Sequence, residues 1–136
     1  MIEIKTVMLP LHSFPVVKGD VILKIVLEQM NAKRLGIACV VDNKSNLLGI
    51  ITDGDIRRKL LSYQKPISAF FVDDCINHMI DHPSKVELNE SLNIGLDLMK
   101  LKGIWDLPVT QKGVLVGLLH LHPVVEALIK KENKIN

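Results

Sequence analysis

The stretch Thr52-Asp53-Gly54-Asp55, followed by Arg57 and Arg58, holds the residue types best suited to chemistry in this chain. An apolar run, Leu47 to Ile51, leads into it, so the motif closes a strand and opens a helix. Free N–H groups at a helix start attract phosphate. The Asp55 carboxylate can accept hydrogen bonds from both hydroxyls of a ribose, and the Thr52 hydroxyl can donate or accept. Gly54 lets a backbone approach closely, and Arg57 and Arg58, one turn on, can neutralise phosphate charge. The same spacing is also a capping box, with Thr52 at the N-cap and Asp55 three residues later. That role alone stabilises a helix by about 1 kcal/mol. The two roles can coexist.

Other groups are weaker candidates. His120 and His122 are two apart, and on a strand end they would share a side. His78 and His82 are four apart on a helical turn. Neither pair has a Cys or carboxylate partner at tight spacing, so no metal site is assigned. Asp53 and Asp55 have no nucleophile or second acid beside them, so no catalytic residue is assigned. Trp105, the sole tryptophan, lies before a strand, where it can stack on a base or pack at an interface. Lys24, Lys33 and Arg34 form a small basic patch that reads as a solvated helix face.

The elements that must position these residues come in a repeat. Each half starts with a short helical turn ending in a methionine, Met8 and then Met79. A short strand follows, Pro15 to Val17 and then Lys85 to Leu88. An amphipathic helix is next. The first spans Asp20 to Lys33, with Asp20 as N-cap and Gly36 as stop signal, and the second spans Glu90 to Lys102, capped by Ser91 or Asn89 and ended by Gly103. Two strands follow in each half, Ile37 to Asp42 with Leu47 to Thr52, and Asp106 to Thr110 with Val114 to His120. Closing helices span Asp53 to Ser62 and Leu121 to Lys131. The boundaries are therefore 1–62 for the first motif, 63–72 for a linker, 73–132 for the second motif and 133–136 for a frayed tail. In this register His120-Leu121-His122-Pro123 aligns with Thr52-Asp53-Gly54-Asp55. Pro123 suits a first helical turn but cannot bind ribose hydroxyls, so His120 and His122 are left to face a phosphate or carboxylate.

Composition agrees with a packed domain. The chain has 136 residues, 48% hydrophobic and 24% charged, enough for a core filled by Val, Ile and Leu. Lys plus Arg is 17 and Asp plus Glu is 15, a net of +2, too small for a protein that holds nucleic acid by bulk charge. No apolar run is long enough for a membrane span, and Met1 to Pro10 lacks a signal-peptide core. Two cysteines, Cys39 and Cys75, make no disulfide framework. These features favour a soluble, cytoplasmic setting.

The strings Lys33 to Asp42 and Leu47 to Arg58, with Leu107-Pro108-Val109 and Leu115 to His122 in the second copy, resemble the cystathionine-β-synthase (CBS) domain in its tandem form, the Bateman module. The resemblance covers nearly the whole chain. It implies an α+β fold of two β-α-β-β-α motifs packed with pseudo-twofold symmetry. Thr-Asp-Gly-Asp-Ile-Arg-Arg is similar to the CBS pairs of arabinose-5-phosphate isomerases and of certain sugar nucleotidyltransferases. Neither catalytic domain is expected within this chain. The resemblance implies a non-catalytic regulatory module with no fixed cofactor. Its ligand would be AMP, ADP, ATP or a CMP-sugar, bound in the cleft between the motifs. Thr52, Asp53, Gly54, Asp55 and Arg57 would meet ribose and phosphate. The base would slot near Val16, Ile37 and Ala38, with His120 and His122 facing from the second motif. The implied partners are a second copy, in a helix-lined homodimer, and an attached or separate sugar-metabolism enzyme. Neither a membrane nor nucleic acid is expected as a partner. The alternatives are a dimerisation module without a ligand and a regulatory fragment of a sugar-phosphate isomerase or nucleotidyltransferase.

Overall fold

The computed structural model describes residues 1–135; Asn136, the last residue of the stretch read as a frayed tail, lies outside them. The fold is α+β, with two separate sheets and six α-helices among the described residues. It divides into two compact units. Unit A is His12–Pro83, and unit B joins Met1–Leu11 to the chain from Ser84 onward.

Unit A begins with β1 (Val16–Lys18), then α2 (Leu23–Lys33), β2 (Ile37–Val41), β3 (Leu47–Thr52), α3 (Asp53–Ser62), α4 (Ile67–Phe71) and β4 (Ile80–Asp81), the first helix of the chain, α1 (Ile4–Val7), belonging to unit B. The sheet order is β1-β2-β3-β4. β2 lies between two neighbours, parallel to β1 and antiparallel to β3, and all five of its residues are buried. This is why it reads as an unbroken apolar run. Unit B continues with β5 (Val86–Glu87), α5 (Leu92–Lys102), β6 (Asp106–Gln111), β7 (Val114–His120) and α6 (Leu121–Ile135). Its sheet runs β5-β6-β7, with the same parallel-then-antiparallel order.

Each unit borrows the lead-in of the other half of the sequence. Met79 and β4 lie in the opening stretch of the second repeat, yet they pack on β3 of unit A. Met8 and Leu9 lie in the opening stretch of the first repeat, yet Leu9 bridges Leu118 and Met8 packs on Gly117 of unit B. Gly49 and Gly117 are therefore equivalent close approaches. A Cβ on Gly49 would collide with the Ile80 carbonyl and lie 2.7 Å from the Met79 sulfur.

Three local expectations change. α2 starts at Leu23, and Ile22, not Asp20, is its N-cap, without a side-chain bond. It ends on Arg34 in the left-handed region, φ 56°, two residues before the Gly36 read as its stop signal. Residues 63–72, read as a linker, carry α4 and place Phe70 in the core of unit A, wholly buried. Its ring sits 5.1 Å from Tyr63 and 4.7 Å from His78, both edge-on. α6 continues to Ile135, beyond the point where the polar tail was expected to fray. A Glu126–Lys130 pair at 3.5 Å and basic residues near its C-terminus suit a longer helix. No helix among the described residues is long and apolar enough to cross a membrane.

Candidate functional site

Thr52 ends β3 and caps α3. The Asp55 backbone N–H donates to Thr52 Oγ1 at 3.3 Å, and the Thr52 hydroxyl donates to Asp55 Oδ2 at 2.6 Å. Arg58 Nη2 donates to Asp55 Oδ1 at 2.7 Å. Both carboxylate oxygens are thus held in place, and each keeps acceptor capacity for a further donor. Burial pushes the Asp55 carboxyl up, but the hydrogen bonds from Thr52 and Arg58, helped by the charges of Arg58 and Lys59, outweigh it and hold it below the usual value. Capping and a preset acceptor are realised in the same residues.

The other expected site residues divide. Ile37 lies opposite Thr52 in the β2–β3 register, and Ala38 follows it, opposite Ile51. Both are buried, and Ala38 packs into the unit A core with Val40 and Ile51. Val16, half-buried, pairs with Cys39 one strand over. Gly54 lies beside Arg58, whose Nη2 would be 3.2 Å from a Cβ there. Arg57 is exposed on α3. Asp53 departs from the expected cluster. Its N–H donates to the Gly36 carbonyl at 3.0 Å, and its carboxylate lies over Gly36, where a Cβ would be 2.7 Å from Oδ2. Asp53 and Asp55, two apart at a helix start, serve different neighbours.

Unit B carries a different pair at the equivalent place. His120 lies opposite Asp106 in the β6–β7 register, and Nδ1 is 2.6 Å from Asp106 Oδ1. Burial raises the Asp106 pKa, while the hydrogen bond and charge of His120 pull the other way. His122 is not on the strand with His120 but in the first turn of α6, exposed, so the two do not form a strand-end pair. His78 is buried and meets Asp73 Oδ2 at 2.9 Å, whereas His82 is exposed. Among the described residues no three His, Cys, Asp or Glu side chains gather to hold a metal. Asp106 was missed from the sequence. It is 14 residues from His120, and only counting the hairpin register across Gln111–Gly113 would have paired them.

Hollows of about 420 Å³ open on unit A. One is lined by Asp20, Asp42 and Asp74 with Lys18, whose ammonium already donates to the Asp42 carbonyl at 2.7 Å. The other is lined by Leu27, Met30, Asn31, Arg34, Gly36 and Asp53.

A parallel strand, a crossover helix, an antiparallel hairpin and a closing helix, repeated in two units, define the CBS-domain class. Residues 4–62 match the CBS domain family model, and the chain as a whole has the fold of a CBS-domain pair, with solved CBS-pair structures covering nearly all of it. CBSX2, a CBS-pair protein of Arabidopsis thaliana, solved in complex with AMP, superposes with a TM-score of 0.84 at 25% identity, covering 97% of this chain and 99% of that one. An uncharacterized protein of Rickettsia prowazekii is 33% identical over 90% of this chain and 37% of its own length. The arabinose 5-phosphate isomerase of Yersinia pestis is 28% identical over 93% of this chain and 38% of its own length. The chain thus spans under two fifths of these two relatives.

Proposed function

We propose that this chain is a non-catalytic regulatory module that binds an adenine nucleotide at the β3–α3 junction of unit A. Asp55 accepts from the ribose hydroxyls. The phosphate lies toward the start of α3, between the Gly54 N–H and Arg57, the N–H groups of Asp53 and Asp55 being already bonded to Gly36 and Thr52. Val16 and the backbone near Ile37 and Ala38 flank the base. Separately, at the β7–α6 junction of unit B, His120 and His122 can offer donors to an anionic group of their own. A CMP-sugar is the other ligand consistent with this chemistry. The observation that carries the reading is the preset Asp55 carboxylate, held by Thr52 and Arg58 at 2.6 and 2.7 Å with acceptor capacity left on both oxygens. The AMP complex of CBSX2 supports it, as does the likeness to the isomerase, which points to an attached or partner sugar-metabolism enzyme.

A nucleotide controls such an enzyme only by binding two arrangements of the module with different affinity. A second copy, docked through the exposed Val125, Leu128 and Ile129 of α6, is the proposed homodimer.

Thermal unfolding with AMP, ATP and CMP tests the reading. A nucleotide at one hundred times its Kd adds about 2.7 kcal/mol to the stability of the folded chain. That ligand-induced gain is expected to vanish in Asp55→Ala and Thr52→Ala, each compared with its own ligand-free melt. A chain that gains nothing from any of these nucleotides, yet sediments as a dimer, is a dimerisation module instead.

A further inference from the structure

The two repeats differ most sharply behind the start of α3. Shared backbone bonds fix the correspondence. Leu35 N–H donates to the Met30 carbonyl and Ile104 N–H to the Met99 carbonyl, both at 3.1 Å. Asp53 N–H donates to Gly36 at 3.0 Å, and Leu121 N–H to Trp105 at 2.9 Å. Unit B therefore has Gly103, Trp105 and Leu121 where unit A has Arg34, Gly36 and Asp53. Gly103 suits the left-handed cap at φ 64°, but Arg34 adopts φ 56° with a side chain that disfavours it. Trp105 is replaced by Gly36, the residue whose missing Cβ lets the Asp53 carboxylate lie over the backbone.

All three replacements border the same hollow of about 420 Å³, within the range of small-molecule sites, about 300–1,000 Å³. Its apolar side is Met30, buried, with Leu27 and Leu35, half-buried. Its polar side is Arg34, Asn31 and Asp53. Among the described residues Arg34 and Asp53 form no ion pair with each other or with any other side chain, and the Asn31 amide group has no partner. A guanidinium and a carboxylate on one rim that do not neutralise each other suit a guest carrying complementary groups. The guanidinium fork takes a phosphate or carboxylate in bidentate fashion. The carboxylate takes hydroxyl donors, and the amide serves either.

We propose that this hollow is a second small-molecule site, separate from Thr52 and Asp55, for a polyhydroxylated anion: a sugar phosphate or a sugar acid. The anion sits on Arg34 and the hydroxyls on Asp53 and Asn31. Opposite its C–H face lie Leu27, Met30 and Leu35.

The test is a nitrogen-15 NMR titration of the whole chain with ribose 5-phosphate, gluconate, ribose and inorganic phosphate at millimolar concentration. Ribose 5-phosphate or gluconate is expected to shift the amides of Asn31, Arg34 and Gly36, and whichever binds tighter identifies the source of the anion. Arg34→Gly installs the residue of the sister repeat. It is expected to melt no lower than the parent and to bind the probe about tenfold more weakly or worse. No shift at these amides, equal affinity in Arg34→Gly, or binding by ribose or phosphate alone as tight as by the joined molecule each overturns the proposal. An AMP titration of the same variant separates this site from the nucleotide reading. AMP binding kept while the probe is lost supports two sites; loss of both together assigns Arg34 to the nucleotide and overturns the second site.

Discussion

Asp55 and Asp106 are both pushed up by burial, and their partners decide the outcome. Thr52 and Arg58 pull Asp55 below its ordinary pKa, so its contribution to stability is present above the unfolded carboxyl range and fades as pH falls through the depressed value. Asp106 stays raised despite His120, so its sign is opposite. The fold is favoured while the carboxyl is protonated, and that advantage is lost as pH rises through the raised value. His120 offsets a half-buried charge that exists only at the higher pH. His120→Ala is therefore expected to lose about 1–3 kcal/mol at pH 7. The loss should shrink as pH falls through the Asp106 titration. Urea midpoints of parent and variant at neutral and acid pH read the difference; an equal loss at both would mean that the pair does not carry this burden. Cys75 is a quieter case: burial lifts its thiol to about 11, with Asp74 adding to the effect, so it is expected to react with iodoacetamide far more slowly in folded than in unfolded chain.

At the scale of elements, strand and helix periods were legible where the chain is strictly patterned. Leu47 to Thr52, Val114 to His120 and Asp53 to Ser62 have the limits their residues suggest, because alternation or a capping box marks each end. α4 was not legible. A five-residue helix after Pro66 has no room to show a helical period, and its aromatic residues gain meaning only from Tyr63 and His78 around them. Arg34 was missed as a cap because glycine is the usual signal for a left-handed residue, and Gly36 stood nearby. Phe70→Ala separates core from connector. It is expected to destabilise unit A by about 3–5 kcal/mol, whereas a change in an exposed connector shifts stability by about 0.5 kcal/mol or less. Denaturant midpoints decide between them.

At the scale of the whole chain, the duplication was legible because Met8 with Met79 and Gly49 with Gly117 keep the same order in both halves. What local patterns could not show is that each lead-in packs on the other repeat's sheet: Met8 lies against Gly117, and Met79 against Gly49. Such pairings are long-range contacts, and no periodicity within a segment encodes them. The departure of the second repeat from the Thr-x-x-Asp pattern was readable in Pro123, but the replacement chemistry, a carboxylate–imidazole pair, was readable only across the hairpin. A crystal structure of the chain grown with AMP tests the central claim most directly. The account predicts the ribose hydroxyls within hydrogen-bond distance of Asp55 and the phosphate at the start of α3. AMP bound elsewhere, with Asp55 touching only Thr52 and Arg58, would contradict it.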